Sequence, residues 1–293
     1  MTLSILLPSY NNRCLDLVTS LQRQAEAIDG LTYEIIVADD GGSDMEVKAY
    51  NDAINRVQHC RYIRREQNVG RAVIRNFLAQ EAQGEYLLFL DSDLLVVCHD
   101  MLQRYLSVAR PEVVIDGGVT IVGDPVRLRS NLRFWYEYNT QCNHVPQERS
   151  RRPYQSIRTT NLFVPRGVFM QIPFDERFTR YGYEDVLFGK GLKQAAVPIL
   201  HIDAPMGIDS FDTNDDYLAK IEEALHTLHC FEDELDGYSS LITVSHCLKR
   251  WHVRWAVRLI HCLLGGMMRR SLLSARPSTA VFKIYKTCLY ASL

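Results

Sequence analysis

The sequence predicts an α/β fold in which a mainly parallel sheet is flanked by helices and followed by a helical C-terminal extension. Three observations predict it. Short apolar runs recur early, at Leu3-Ser4-Ile5-Leu6-Leu7, Tyr33-Glu34-Ile35-Ile36-Val37-Ala38, Arg61-Tyr62-Ile63 and Tyr86-Leu87-Leu88-Phe89-Leu90. Apolar residues between them repeat at helical spacing, which is the pattern of βαβ units. Polar loops follow the first, second and fourth runs, and crossovers of one hand bring such loops to the carboxyl edge of the sheet, where open α/β sheets bind ligands.

The elements follow in order. The first strand ends at Pro8, Ser9-Tyr10-Asn11-Asn12 forms a loop, and Leu15, Val18, Leu21 and Ala25 mark a helix. The second strand runs into Asp39-Asp40-Gly41-Gly42-Ser43-Asp44, followed by a helix from Met45 to Ile54. After the third strand, Gln67-Asn68-Val69-Gly70 opens a helix reaching Gln83, and the fourth strand leads to Asp91-Ser92-Asp93. Beyond it a helix is expected over Met101 to Val108, with strands at Val113-Val114-Ile115 and at Val119 to Val122. Residues 124–158, rich in Arg, Asn and Gln, read as irregular and partly mobile structure beside a cleft. Asn161 to Val164 is a strand stopped by Pro165, Tyr181 to Asp185 opens a helix, and Pro198 to His201 is a last short strand. Leu218, Ile221, Leu225, Leu228 and Leu235 mark a long amphipathic helix.

A chain of 293 residues with 47% hydrophobic and 23% charged residues suits a folded protein with a substantial core. The net charge of −2 conceals an asymmetry. Nine of the 33 Lys and Arg, and none of the 35 Asp and Glu, lie beyond residue 236, so residues 1–236 carry −11 and residues 237–293 carry +9. That change places a domain boundary near Gly237. The eight cysteines show no C-x-x-C pair and fit a reducing, cytoplasmic setting. No signal peptide is expected, because the chain enters a strand at once. No apolar run approaches the roughly 20 residues of a membrane span.

Two carboxylates one serine apart, directly after a buried strand, suit a hard divalent cation, although Asp-Ser-Asp also suits a turn or a helix cap. Together with Leu3 through Asn11, Glu34 through Gly41, Asn68-Val69-Gly70 with Arg75-Asn76, and Gly84 through Asp93, the triplet resembles the ordered signatures of family-2 glycosyltransferases over residues 1–205. The resemblance implies the GT-A fold, a Rossmann-like layer binding nucleotide over about residues 1–95 and an acceptor-binding part over about 96–236. It also implies inverting transfer from a nucleotide-sugar, a UDP-sugar foremost, to a glycan or lipid-linked saccharide, as in surface-polysaccharide synthesis.

Under that resemblance Pro8, Ser9 and Tyr10 frame the base. Asp39 or Asp40 accepts a hydrogen bond from a ring N–H, with Asp40 favoured by the family pattern. Asn68 and Gly70 let the backbone approach the donor. Arg71 or Arg75 neutralises phosphate, with Arg75 taken as the donor contact. Asp91 contacts ribose or metal beside Ser92, and Asp93 is the direct ligand of Mn²⁺ or Mg²⁺. Tyr181-Gly182-Tyr183-Glu184-Asp185 resembles the Gly-Glu-Asp segment supplying the catalytic base, which assigns Asp185 as base and Glu184 as its acceptor-orienting neighbour. The family's commoner form is Trp-Gly-Gly-Glu-Asp, and the departure here bears on the acceptor pocket. In similar enzymes a histidine beyond this segment completes the metal site. His201 is that candidate, with Asp203 as alternative, and imidazole favours manganese over magnesium.

In the extension, Leu248, Trp251, Trp255, Leu259 and Cys262 follow one helical line, with Arg250, Arg254 and Arg258 opposite. Such a helix either lies on an anionic membrane, at its cytoplasmic face, or packs on the acidic body. No nucleic-acid motif accompanies the arginines. Two other functions suit the same elements: a sugar-nucleotide nucleotidyltransferase, or a non-catalytic nucleotide- or glycan-binding protein. The first is disfavoured because Pro8-Ser9-Tyr10-Asn11 replaces a Gly-rich basic loop, and the second because Asp91, Asp93, Glu184 and Asp185 are all intact.

Overall fold

The structure is a computed structural model describing residues 1–293. Its first half alternates strand and helix: β1 (Thr2–Ser9), α1 (Leu15–Glu26), β2 (Thr32–Asp39), α2 (Met45–Asn51), β3 (Cys60–Arg64), α3 (Arg71–Glu81) and β4 (Tyr86–Leu90). Then come β5 (Leu95–Val96), α4 (Met101–Val108), β6 (Val114–Asp116), β7 (Val119–Ile121), α5 (Leu132–Thr140), α6 (Pro146–Arg149) and β8 (Asn161–Pro165). The chain continues through α7 (Arg166–Gln171), α8 (Glu184–Gln194), β9 (Ile199–His201), β10 (Met206–Ile208) and α9 (Asn214–Cys230). It closes with α10 (Ser240–Arg250), α11 (Arg254–Leu272) and α12 (Thr279–Ser292).

Seven strands form one sheet in the order β3-β2-β1-β4-β8-β6-β9. Strands β1 to β4 are mutually parallel, β8 runs antiparallel to β4 and β6, and β6 pairs in parallel with β9. Helix cover on both faces explains why β4 is buried along its whole length and reads as a continuous apolar run. The predicted sheet is therefore present, with one antiparallel strand inserted. A smaller sheet, β5-β10-β7, includes β10, which the sequence pattern did not announce.

The chain divides into two compact units, and the division does not follow charge. One unit comprises residues 1–120, 142–179 and 184–210, and contains the seven-stranded sheet. The other comprises residues 121–141, 180–183 and 211–293. The boundary expected at Gly237 is thus displaced: α9 packs with the basic extension. Leu132, Tyr217, Leu218, Leu272, Phe282 and Tyr285 share one core. The acids of α9 meet the bases of the extension, with Arg269 bonding Asp215 at 2.9 Å and Glu222 at 3.3 Å. Glu232, just beyond α9, accepts from Lys249 at 2.9 Å. Opposite charges that look like two bodies in the sequence are the two sides of one helical assembly.

Two further expectations change. Residues 124–158 contain α5 and α6 rather than irregular chain, because Asn131 caps α5 by accepting from the Phe134 N–H at 2.8 Å. The single helix expected through Leu248 to Cys262 is broken between α10 and α11, where His252 adopts φ 55°. No helix is long and apolar enough to cross a membrane. All eight cysteines are free thiols.

Candidate active site at the carboxyl edge of the sheet

The parallel register places Ser9 beside Asp39, so the loops leaving β1 and β2 begin as neighbours, and the loop leaving β4 begins beside them. Hydrogen bonds of backbone and side chains then lace these loops together. The Asp40 N–H donates to Ser9 O at 2.8 Å, and Asn12 Nδ2 donates to Ser92 Oγ at 3.0 Å. Asp40 accepts from the Val69 and Gly70 N–H groups, each at 3.1 Å, and thereby holds the turn that opens α3. Gly70 begins that helix at φ 89°, a conformation that favours glycine. Gly41, at φ 71°, passes so close to Gln67 that a Cβ would lie 2.4 Å from its carbonyl carbon.

These contacts sort the residues expected to meet a nucleotide. Ser9 is buried and donates to Asn12 O at 3.3 Å, Ser92 is buried against Asn12, and Tyr10 is the exposed aromatic of the group. Asn68 is exposed, with its Oδ1 accepting from the Gly70 N–H at 3.1 Å. Asp39 is buried, accepts from the Gly42 N–H at 2.9 Å, and has Lys48 Nζ 3.6 Å from its other oxygen. Asp40 is held above its ordinary carboxylate range by burial, which outweighs the two N–H groups it accepts.

The centre of the site is a buried arginine. Arg75, on α3 and only 1% exposed, donates to Asp91 Oδ1 at 2.7 Å and to Glu184 Oε1 at 3.3 Å. It therefore ties the end of β4 to the start of α8. The sequence reading placed Arg75 against donor phosphate, but its burial and two carboxylate partners leave it no access to a ligand. Arg71, one helical turn earlier and 45% exposed along its side chain, lies 3.7 Å from Asp91 and 3.9 Å from Glu184. Glu184 is likewise buried in this clamp rather than open to an acceptor. Burial pushes the Asp91 carboxyl upward, but Arg75 and Arg71 overcome this and hold it below its ordinary value.

Asp185 follows directly and behaves in the opposite way. Burial first, and the Glu184 charge second, raise it from 3.8 to about 6, against the pull of the Val186 N–H, Arg158 and Arg75. A carboxyl raised by burial in this way within a candidate site is a mark of an acid–base role. The positive φ of Tyr183, 69°, turns the chain sharply into α8 just ahead of this pair.

The expected metal set is not assembled: no three His, Cys, Asp or Glu side chains gather to hold an ion. His201 is drawn elsewhere, because the β6–β9 register sets it against Asp116. Its Nδ1 lies 3.0 Å from Asp116 Oδ2 and 3.1 Å from Arg149 Nη1, while Nε2 lies 3.1 Å from Pro153 O. A carbonyl oxygen only accepts, so Nε2 carries its hydrogen and offers no lone pair to a metal. Asp203, the alternative, has its Oδ2 3.8 Å from Arg104. Asp93 is exposed at the sheet edge, and a carboxylate there fits a cation that takes its remaining oxygens from substrate phosphate and water.

Sequence reasoning missed Asn12, whose signal was its place in the first loop, and the Asp116–Arg149–His201 network, whose members have no local signature. Arg149 donates to the carbonyls of His144 at 2.8 Å, Asp116 at 2.9 Å and Ile202 at 2.7 Å.

Comparison with known proteins bears on the family and the fold. An uncharacterized glycosyltransferase of Haemophilus influenzae is 31% identical over 108 residues, covering 36% of this chain and 41% of that protein. Validoxylamine A glucosyltransferase of Streptomyces hygroscopicus subsp. jinggangensis is 26% identical over 245 residues, covering 71% of this chain and 55% of that protein. The chain thus spans about half the length of these curated relatives. Among solved structures, a mannosyltransferase of Pyrobaculum calidifontis in complex with GDP-Man and Mn²⁺ superposes with a TM-score of 0.60 at 12% identity, covering 99% of this chain and 85% of that one. That likeness establishes the GT-A architecture. The family model described as "Glycosyl transferase family 2" matches residues 4–171, from β1 through the laced loops, Arg75 and Asp91-Ser92-Asp93 to α7, and the chain belongs to that family.

Proposed function

We propose that the chain transfers a sugar, with inversion, from a nucleotide-sugar to a hydroxyl of a glycan or lipid-linked saccharide. The observation that carries this reading is the Asp91–Arg75–Glu184 bridge, which holds the donor-side loop and the start of α8 in one rigid piece beside Asp185. The site then has a donor half and a base in fixed relation, as in-line displacement requires.

Tyr10 offers a ring to the base, and Asp40 or Asp39 a carboxylate to a ring N–H; a UDP-sugar is the donor this favours. Arg71 faces the diphosphate in place of Arg75. Asp93 would hold a divalent cation together with diphosphate oxygens, and such an ion supplies neutralisation of the charge developing on the leaving nucleotide. The relative bound to Mn²⁺ supports a divalent ion, but with His201 withdrawn no residue here favours manganese over magnesium. Asp185 takes the proton of the acceptor hydroxyl as that oxygen attacks the anomeric carbon and the bond to the diphosphate breaks. Glu184 and Arg75 position it. The acceptor belongs to surface-polysaccharide assembly in this reading, presented at a membrane to which the extension binds peripherally.

Release of nucleoside diphosphate from a panel of UDP- and GDP-sugars tests the proposal, with turnover of one of them expected on adding acceptor and Mn²⁺ or Mg²⁺. Failure of every donor to be turned over or to raise the melting temperature would refute it. For Asp93→Asn, we expect the nucleotide-sugar to lose the cation-dependent part of its thermal stabilisation, since a ligand stabilises only through the state it binds. Equal cation dependence in variant and wild type would remove Asp93 from the metal site.

A further inference from the structure

We infer that the outward face of α11 is a docking surface for an anionic lipid bilayer, in which its apolar strip makes the contact and the exposed bases beside the strip select the lipid. This deepens the membrane part of the reading above, and its test does not depend on sugar transfer. The sequence left open which side of the helix faces outward, and side-chain contacts decide it. Arg254 and Arg258 donate through Nε to Ala291 O, at 2.9 and 3.0 Å, and so finish the last turn of α12. Arg269 is committed to Asp215 and Glu222. Arg254, Arg258 and Arg269 are therefore engaged within the helical unit of α11 itself.

The outward side carries a continuous apolar strip. Trp255, Leu259, Leu263 and Met267 recur every four residues along one side, with exposures of 68%, 50%, 69% and 67%, and Ile260 and Leu264 widen the strip. Trp251 and Val253, just before the helix, are exposed as well. A helix of 19 residues is about 28 Å long, and α11 is too polar on its inner side to span a bilayer, so lying in the interface is the arrangement its two faces allow. Tryptophan at its start suits the headgroup level.

Charge selects the lipid. No acid occurs from residue 237 to 293, while Arg250, Arg270 and Arg276 are exposed before, on and after the strip. An anionic surface complements that charge. A second copy of this chain would not, because a two-fold contact sets the same bases against themselves.

The test is co-sedimentation of the full chain with vesicles of phosphatidylcholine alone or with 30% phosphatidylglycerol. We expect at least tenfold stronger binding to the anionic vesicles and a blue shift of tryptophan emission. Leu259→Glu with Leu263→Glu should reduce binding at least tenfold while circular dichroism shows an unchanged fold, and Arg270→Glu should weaken it several-fold. Equal binding to both vesicles, binding unaltered by the double substitution, or no binding by wild type would overturn the inference. So would a lipid-free dimer in ultracentrifugation that the double substitution dissolves, because the strip would then be covered by a second copy.

Discussion

Replacing Asp185 by Asn is expected to lower kcat for sugar transfer by about 10²- to 10⁴-fold, the usual contribution of a positioned general base. Nucleotide-sugar binding should persist, because the donor contacts lie on the β1, β2 and β4 loops and α3. The same substitution should make the protein more stable. Asp185 is raised from 3.8 to about 6, so its ionisation opposes folding. The penalty is absent below the unfolded value near 4, grows as pH rises, and is complete above about 6. By linkage it amounts to roughly 3 kcal/mol. Asn should therefore raise the melting temperature at pH 7 to 8 and not at pH 4, with activity and stability moving in opposite directions. A variant both inactive and less stable at neutral pH would show that Asp185 is structural.

The second large effect is at Arg75. Substitution by Met removes the cation from a clamp whose two carboxylates, Asp91 and Glu184, are both buried. Breaking such a pair from one side costs about 3–5 kcal/mol, because a desolvated charge is left behind. Lysine is not a conservative replacement, since it cannot reach two carboxylates with one planar fork. The loss should depend on pH. Asp91 is held below its ordinary value, so its stabilising contribution is present above the unfolded pKa near 4 and is lost as pH falls through its folded value. The gap between wild type and Arg75→Met, measured by thermal melts, should be widest at neutral pH and narrow in acid. Adding Glu184→Gln to Arg75→Met should recover part of the stability. A single-substitution loss under 1 kcal/mol with no pH dependence would contradict the clamp.

The sequence made the loops at the carboxyl edge of the sheet legible because their signals are local. The strand ending at Leu90 and the acids after it are one continuous word, as are Asn68-Val69-Gly70 and Glu184-Asp185. The failures share a different cause, namely partners distant in sequence. Arg75 meets Asp91 sixteen residues away and Glu184 more than a hundred away, so its burial between them left no trace in its neighbours. His201 looked like a ligand because nothing nearby in sequence revealed that strand pairing sets Asp116 beside it. The charge change at Gly237 marked a real asymmetry but not a packing boundary, since α9 and the extension form ion pairs across it. On α11 the helical spacing was visible, yet which side faced outward was fixed by the carbonyl of Ala291.

The most direct test of the account is the pH dependence of kcat/KM for the wild-type protein with its nucleotide-sugar and acceptor. An acid limb with a midpoint near 6, where Asp185 loses its proton, is expected, as is loss of that limb in the residual activity of Asp185→Asn. A flat profile down to pH 4.5, or an acid limb near 6 that survives in Asp185→Asn, would contradict Asp185 as the base.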